Sequence, residues 1–148
     1  MVERFERFSL AISEISRCRN KIANEEMEKY GLKGVHSIYL TTMIRFPEGI
    51  TAAKLCEHCG RDKAEVSRAV AAMEKLGLLE KIGSAYRAKL ILTPKGQEAA
   101  QHIRKRAALA VEQAGGVLSE EQRAVFYAAL ETIAQNLQAL SEQGLPEE

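Results

Sequence analysis

Two cysteines three residues apart, Cys56 and Cys59, enclose Glu57 and His58 in the stretch LCEHCG. Thiol and imidazole side chains at that spacing suit a metal knuckle or a redox pair. A structural zinc site needs four ligands, usually from two such pairs. This sequence supplies half of one, because Cys18 lies far upstream and no second pair exists. On a helix, His58 would point about 100° away from Cys59. Free thiols are among the most buried side chains and pack as small hydrophobes, which is the reading that asks for fewest partners. Nothing else in the chain resembles a Gly-rich phosphate loop, a nucleophile with its base or a His-Glu-x-x-His pair. Catalysis therefore has no support, and no cofactor or metal is implied.

The elements that must hold these residues belong to one soluble domain. With 148 residues, 46% of them apolar, the chain can bury a core without metal or disulfide staples. Aromatic residues are few and tryptophan is absent, which leans the core towards helices. No apolar run approaches the ~20 residues of a membrane span. The start, MVERFERF, is too charged for a secretory signal, so a cytoplasmic location is expected. The net charge of +1 hides an asymmetry: residues 50–96 carry nine basic and five acidic groups, and the remainder twelve and fifteen. A basic middle between acidic ends points to a polyanionic partner.

Phe5, Phe8, Ile12, Ile15 and Ile22 repeat at helical spacing, so residues 4–29 read as one long helix that Gly31 and Gly34 interrupt. A second helix is expected over 35–46, ended by the turn FPEG. Thr51 is placed to cap a short helix that stops at Gly60. Asp62 and Glu65 have the spacing of a reciprocal capping box, opening a helix to about Leu76. The segments LLEKI and AKLILT read as a two-stranded hairpin. Thr93 and Pro94 restart a helix that reaches Gly115, and Ser119 with Gln122 boxes a last one. A short helix, a tight turn and a capped helix followed by a hairpin is a winged helix-turn-helix. The fold class is thus mostly α with a small β-hairpin wing. It has a lobe over 35–93 and long terminal helices over 1–30 and 94–142.

The run DKAEVSRAVAAMEKLGLLEKIG, with LILTPKG after it, resembles the MarR family of bacterial transcriptional regulators. The matching pieces are Asp62-Lys63, Val66-Ser67-Arg68, Met73-Glu74-Lys75, Gly77-Leu78, Leu92-Thr93 and Gly96, and the flanking helices match in order and length. The resemblance implies that the middle helices and wing bind double-stranded DNA while the terminal helices interlock two subunits. It puts Ser67 and Arg68 at DNA-contacting positions. The residues agree on their own terms, because a helix in the major groove presents its N-terminal half, here Arg61, Lys63, Ser67 and Arg68. Val66, Val70 and Met73 would face inward. The wing departs from the family, whose Asp-x-Arg is replaced by SAYRAK. Arg87 is then the candidate for the minor groove and Lys89 for a phosphate.

In helix-turn-helix proteins the first helix commonly reads Leu-Ala-x-x-Leu-Gly, which puts Cys56 on the Ala and Cys59 on the second Leu, leaving Glu57 and His58 exposed. Cys18 is the alternative redox candidate, because some relatives sense peroxide through a first-helix cysteine near tyrosines, and Tyr30 and Tyr39 are available. His36, Tyr39 and Met43, with His102, are candidates to line a pocket for a small-molecule effector. The expected function is sequence-specific DNA binding by a homodimeric regulator on a palindromic site, most simply a repressor. The rivals are a winged-helix protein-interaction module and a thiol- or metal-sensing regulator.

Overall fold

Side-chain caps decide where most helices begin in the computed structural model, which describes residues 1–84 and 87–145. The first helix, α1 (Val2–Glu28), leads through a short 3-10 turn at Gly34–His36 into α2 (Ser37–Met43). The Asn24 side chain stitches that turn to α1 by accepting from the Gly34 N–H at 2.7 Å. The helix expected over 35–46 is therefore split and ends early. Arg45 and Phe46 donate to carbonyls only three residues back, and Pro47 disfavours continued helix for the residue before it.

A two-residue strand, β1 (Ile50–Thr51), comes next, and Thr51 caps α3 (Ala52–Cys59) by accepting from the Lys54 N–H. Gly60 closes α3 at φ +61°, a left-handed conformation that suits glycine. Asp62 opens α4 (Lys63–Lys75), accepting from the Glu65 N–H at 2.8 Å. The wing is β2 (Leu79–Ile82) against β3 (Lys89–Leu92), antiparallel, with Leu79 opposite Leu92 and Ile82 opposite Lys89. The expected hairpin gains β1 as a third strand on the other side of β3, with Ile50 opposite Leu90. Ala85 and Tyr86 of the wing loop lie outside the described residues.

α5 (Pro94–Ala114) starts from a tight junction with the end of α4. Thr93 accepts from the Gly96 N–H at 3.1 Å and donates its hydroxyl to the Gly77 carbonyl at 2.6 Å. Lys95 adds a bond to the Leu76 carbonyl. α6 (Glu120–Gln143) opens with the expected box, Ser119 and Gln122 bonding each other's backbone.

The chain forms two units, residues 1–108 and residues from 109 onward. The first holds the buried core, in which Leu40, Met43, Leu55, Val66, Met73, Leu78 and Leu90 meet Met27 of α1 and Ala99, Ala100 and Ile103 of α5. The second has no buried residue in α6, whose apolar side chains Val125, Phe126, Ile133 and Leu137 stay exposed.

Candidate nucleic-acid interface

α4 is amphipathic in the way a groove-entering helix must be. Val66, Ala69, Val70 and Met73 are buried, while Lys63, Ser67 and Arg68 are exposed, with Lys63 and Ser67 one turn apart. Arg61 stands in the turn just before the helix, exposed. The sequence-derived set of Arg61, Lys63, Ser67 and Arg68 thus occupies the entrance and first two turns of one element. Arg87 and Lys89 belong to the wing. Both are exposed; the Arg87 N–H closes a turn onto the Ser84 carbonyl, and Lys89 opens β3 between Thr51 and Ile82. Lys81, also in the wing, is engaged by Glu74 at 3.0 Å.

The capping box at α4 is made on one side only. Asp62 accepts from the Glu65 N–H, but the Glu65 carboxylate turns instead to the Tyr39 hydroxyl, which donates to Oε1 at 3.2 Å. The same oxygen faces the Arg61 guanidinium at 3.6 Å. Tyr39 is completely buried and a buried hydroxyl must find an acceptor, which explains the choice. Burial, and then the adjacent Glu65 charge, push the Tyr39 phenol up to about 12, so it stays a donor. Sequence reasoning missed this link, because the only local signal was a glutamate three residues after a cap.

Of the proposed effector residues, Met43 borders a cleft of about 230 Å³ together with Ile44, Phe46, Ile91, Gln97 and Gln101. Tyr39 lies in the core. The His36 ring accepts from the Lys33 N–H at 3.1 Å, and burial lowers its pKa. His102 is taken up elsewhere, its Nε2 2.7 Å from Glu26.

The cysteines divide by depth. Cys59 is buried and its thiol lies 3.6 Å from the Thr42 hydroxyl, with burial pushing its pKa up. Cys56 is only half-buried, and Glu57 and His58 are exposed, His58 tilting against the Phe46 ring. Cys18 is exposed beside Glu14 and Arg17, and Glu14 pairs with that arginine. Among the described residues, no three His, Cys, Asp or Glu side chains gather as metal ligands would. No helix among them is long and apolar enough to cross a membrane.

Residues 30–88, from the end of α1 into the wing loop, match the sequence model of the MarR family. This lobe matches the MarR family's winged helix. A search of curated proteins found no significant match. Solved structures extend the likeness over almost the whole chain. A MarR transcriptional regulator from Methanosarcina mazei superposes at a TM-score of 0.81 with 22% identity, covering 91% of this chain and 92% of its own. A MarR protein from Peptoclostridium difficile gives 0.80 with 21% identity, covering 89% and 88%. A MarR family regulator from Listeria monocytogenes, crystallised with a 26-mer DNA, gives 0.73 with 25% identity, covering 93% and 95%. The MarR family is one of transcriptional regulators, not enzymes. In the MarR-type lobe, α3 and α4 are the helix-turn-helix pair and β2–β3 the wing.

Proposed function

We propose that the chain is a cytoplasmic, homodimeric transcriptional regulator that binds a palindromic duplex site and represses by occupying it. In this reading residues 35–93 bind DNA and residues 1–30 and 94–142 join the subunits. The observation that carries it is the face of α4, where Lys63, Ser67 and Arg68 stand exposed over a fully buried apolar side. The DNA held by the Listeria relative supports the same use of the lobe. Arg68 and Lys63 would reach guanine edges or phosphates, Ser67 either, Arg87 the minor groove and Lys89 a phosphate. A small-molecule effector or thiol oxidation would act by moving the two lobes off the spacing of successive grooves.

The test is titration of a labelled duplex from the region upstream of its own gene, at several salt concentrations, against a mixed-sequence duplex. Preference for the upstream duplex is expected. Arg68→Ala should cost about 1–3 kcal/mol of binding if it reads a base, or reduce the salt slope by about one if it holds a phosphate. Equal binding to both duplexes, unchanged by Arg68→Ala, would instead favour a protein-interaction module.

A further inference from the structure

Glu65 is an odd residue to find at the front of a helix that meets a polyanion. It falls in sequence between Arg61, Lys63 and Arg68, where a free negative charge would oppose phosphate. The structure gives that charge two fixed neighbours through one oxygen: the Tyr39 hydroxyl at 3.2 Å from inside, and the Arg61 guanidinium at 3.6 Å from outside. The three residues are graded in depth. Tyr39 is fully buried, the Glu65 side chain is 28% exposed and that of Arg61 43%.

We propose that Tyr39 and Glu65 are positioning residues for Arg61: the core tyrosine pins the carboxylate, and the carboxylate holds the guanidinium beside the first turn of α4 before DNA arrives. The inference rests on the DNA-binding reading and deepens it. An exposed ion pair contributes little to stability, so its value lies in orientation. A long arginine side chain loses much rotamer freedom on binding, and a side chain ordered beforehand loses less. Pairing with Arg61 also cancels the Glu65 charge at the face where it would repel. Tyr39 is on α2, so the placement of Arg61 depends on how α2 packs beneath α4, and any shift of α2 reaches the DNA-facing turn through one hydroxyl.

A double-mutant cycle on the full-length protein tests this, with the upstream and mixed-sequence duplexes as probes and thermal melts to confirm folding. Arg61→Ala should lower the salt slope by about one. Tyr39→Phe removes only the hydroxyl and should weaken binding about three- to tenfold, the cost of ordering one freed side chain. In the Arg61→Ala background the same change should do nothing further. Glu65→Gln is the second variant, needed if Tyr39→Phe folds poorly. It should weaken binding only while Arg61 is present. Additive effects overturn the inference, and so does tighter binding by Glu65→Gln, which would mark Glu65 as a plain repulsive charge. If the unmodified protein binds neither duplex, the DNA-binding reading itself falls and takes this inference with it. Binding with an additive cycle removes only the inference.

Discussion

Glu26 illustrates how a single buried charge is tolerated. Its side chain is 8% exposed near the end of α1, yet it accepts from Lys29 at 2.7 Å, His102 at 2.7 Å and Arg106 at 3.0 Å. The Lys29 bond first, then the His102 bond, hold its pKa at about 2, against an ordinary 4.5. The sign of the linkage follows. The folded carboxylate resists protonation more than the unfolded one, so its stabilisation is present above about pH 4.5 and drains away as pH falls towards 2. The three partners are each more than a third exposed, which moderates the effect. Glu26→Gln should cost roughly 1–3 kcal/mol in urea unfolding at pH 7. The gap from the unmodified protein should close between pH 4.5 and 2; a gap that ignores pH would refute the ion-pair account. Only the Lys29 pair is local; nothing else of this was legible in the sequence, where Glu26 is one acid in the charged run NEEMEK and its other two partners, His102 and Arg106, stand some eighty residues away. Tyr39 and Glu65, twenty-six residues apart, were hidden for the same reason. The outward set on α4 was legible, because a helix period and a cap are local facts.

At the scale of elements, the same division between local and distant signals holds. The caps at Thr51, Asp62 and Ser119, the stop at Gly60 and the wing strands are written within a few residues of where they act. Strand β1 is not, since two residues make a strand only through a partner some forty positions later. The split of the second helix also escaped the periodicity, because Val35 to Phe46 keeps apolar spacing while the backbone changes from 3-10 to α and back to turns. The junction of α4 with α5 is the most demanding contact between elements. The first turn of α5 crosses the Leu78 backbone so closely that a Cβ on Gly96 would overlap the Leu78 carbonyl oxygen. Backbone cannot yield as a side-chain tip can. Gly96→Ala should therefore lose about 1–3 kcal/mol as overpacking does, read as a lower thermal midpoint. A midpoint equal to that of the unmodified protein would mean the two elements are not packed as closely as described. The bonds of Thr93 to the Gly77 carbonyl and of Lys95 to the Leu76 carbonyl would then be the ties between them to test.

For the whole molecule, the question is what covers the apolar faces left open in each unit. On α1, Phe5 is 67% exposed and Ile15 57%, with Phe8, Ile12 and Ile22 along the same stripe; on α6, Val125, Phe126 and Leu137 stand out likewise. Contiguous apolar faces of this kind mark protein contacts more often than bare surface. On the proposed function a second copy of the chain would be the economical partner, because a two-fold pair would present two α4 helices to successive major grooves about 34 Å apart. A single lobe would have only one half-site and its few phosphate contacts. The unmodified protein should accordingly run in light scattering at about twice its 16.4 kDa. Ile15→Lys or Leu137→Lys should shift it towards the monomer by burying an unpaired charge in the interface. The monomer should also lose most of its preference for the upstream duplex while keeping its circular dichroism, since the core of residues 1–108 does not include either side chain. A monomeric unmodified protein that still prefers that duplex would refute the paired arrangement, leaving recognition to one lobe acting alone.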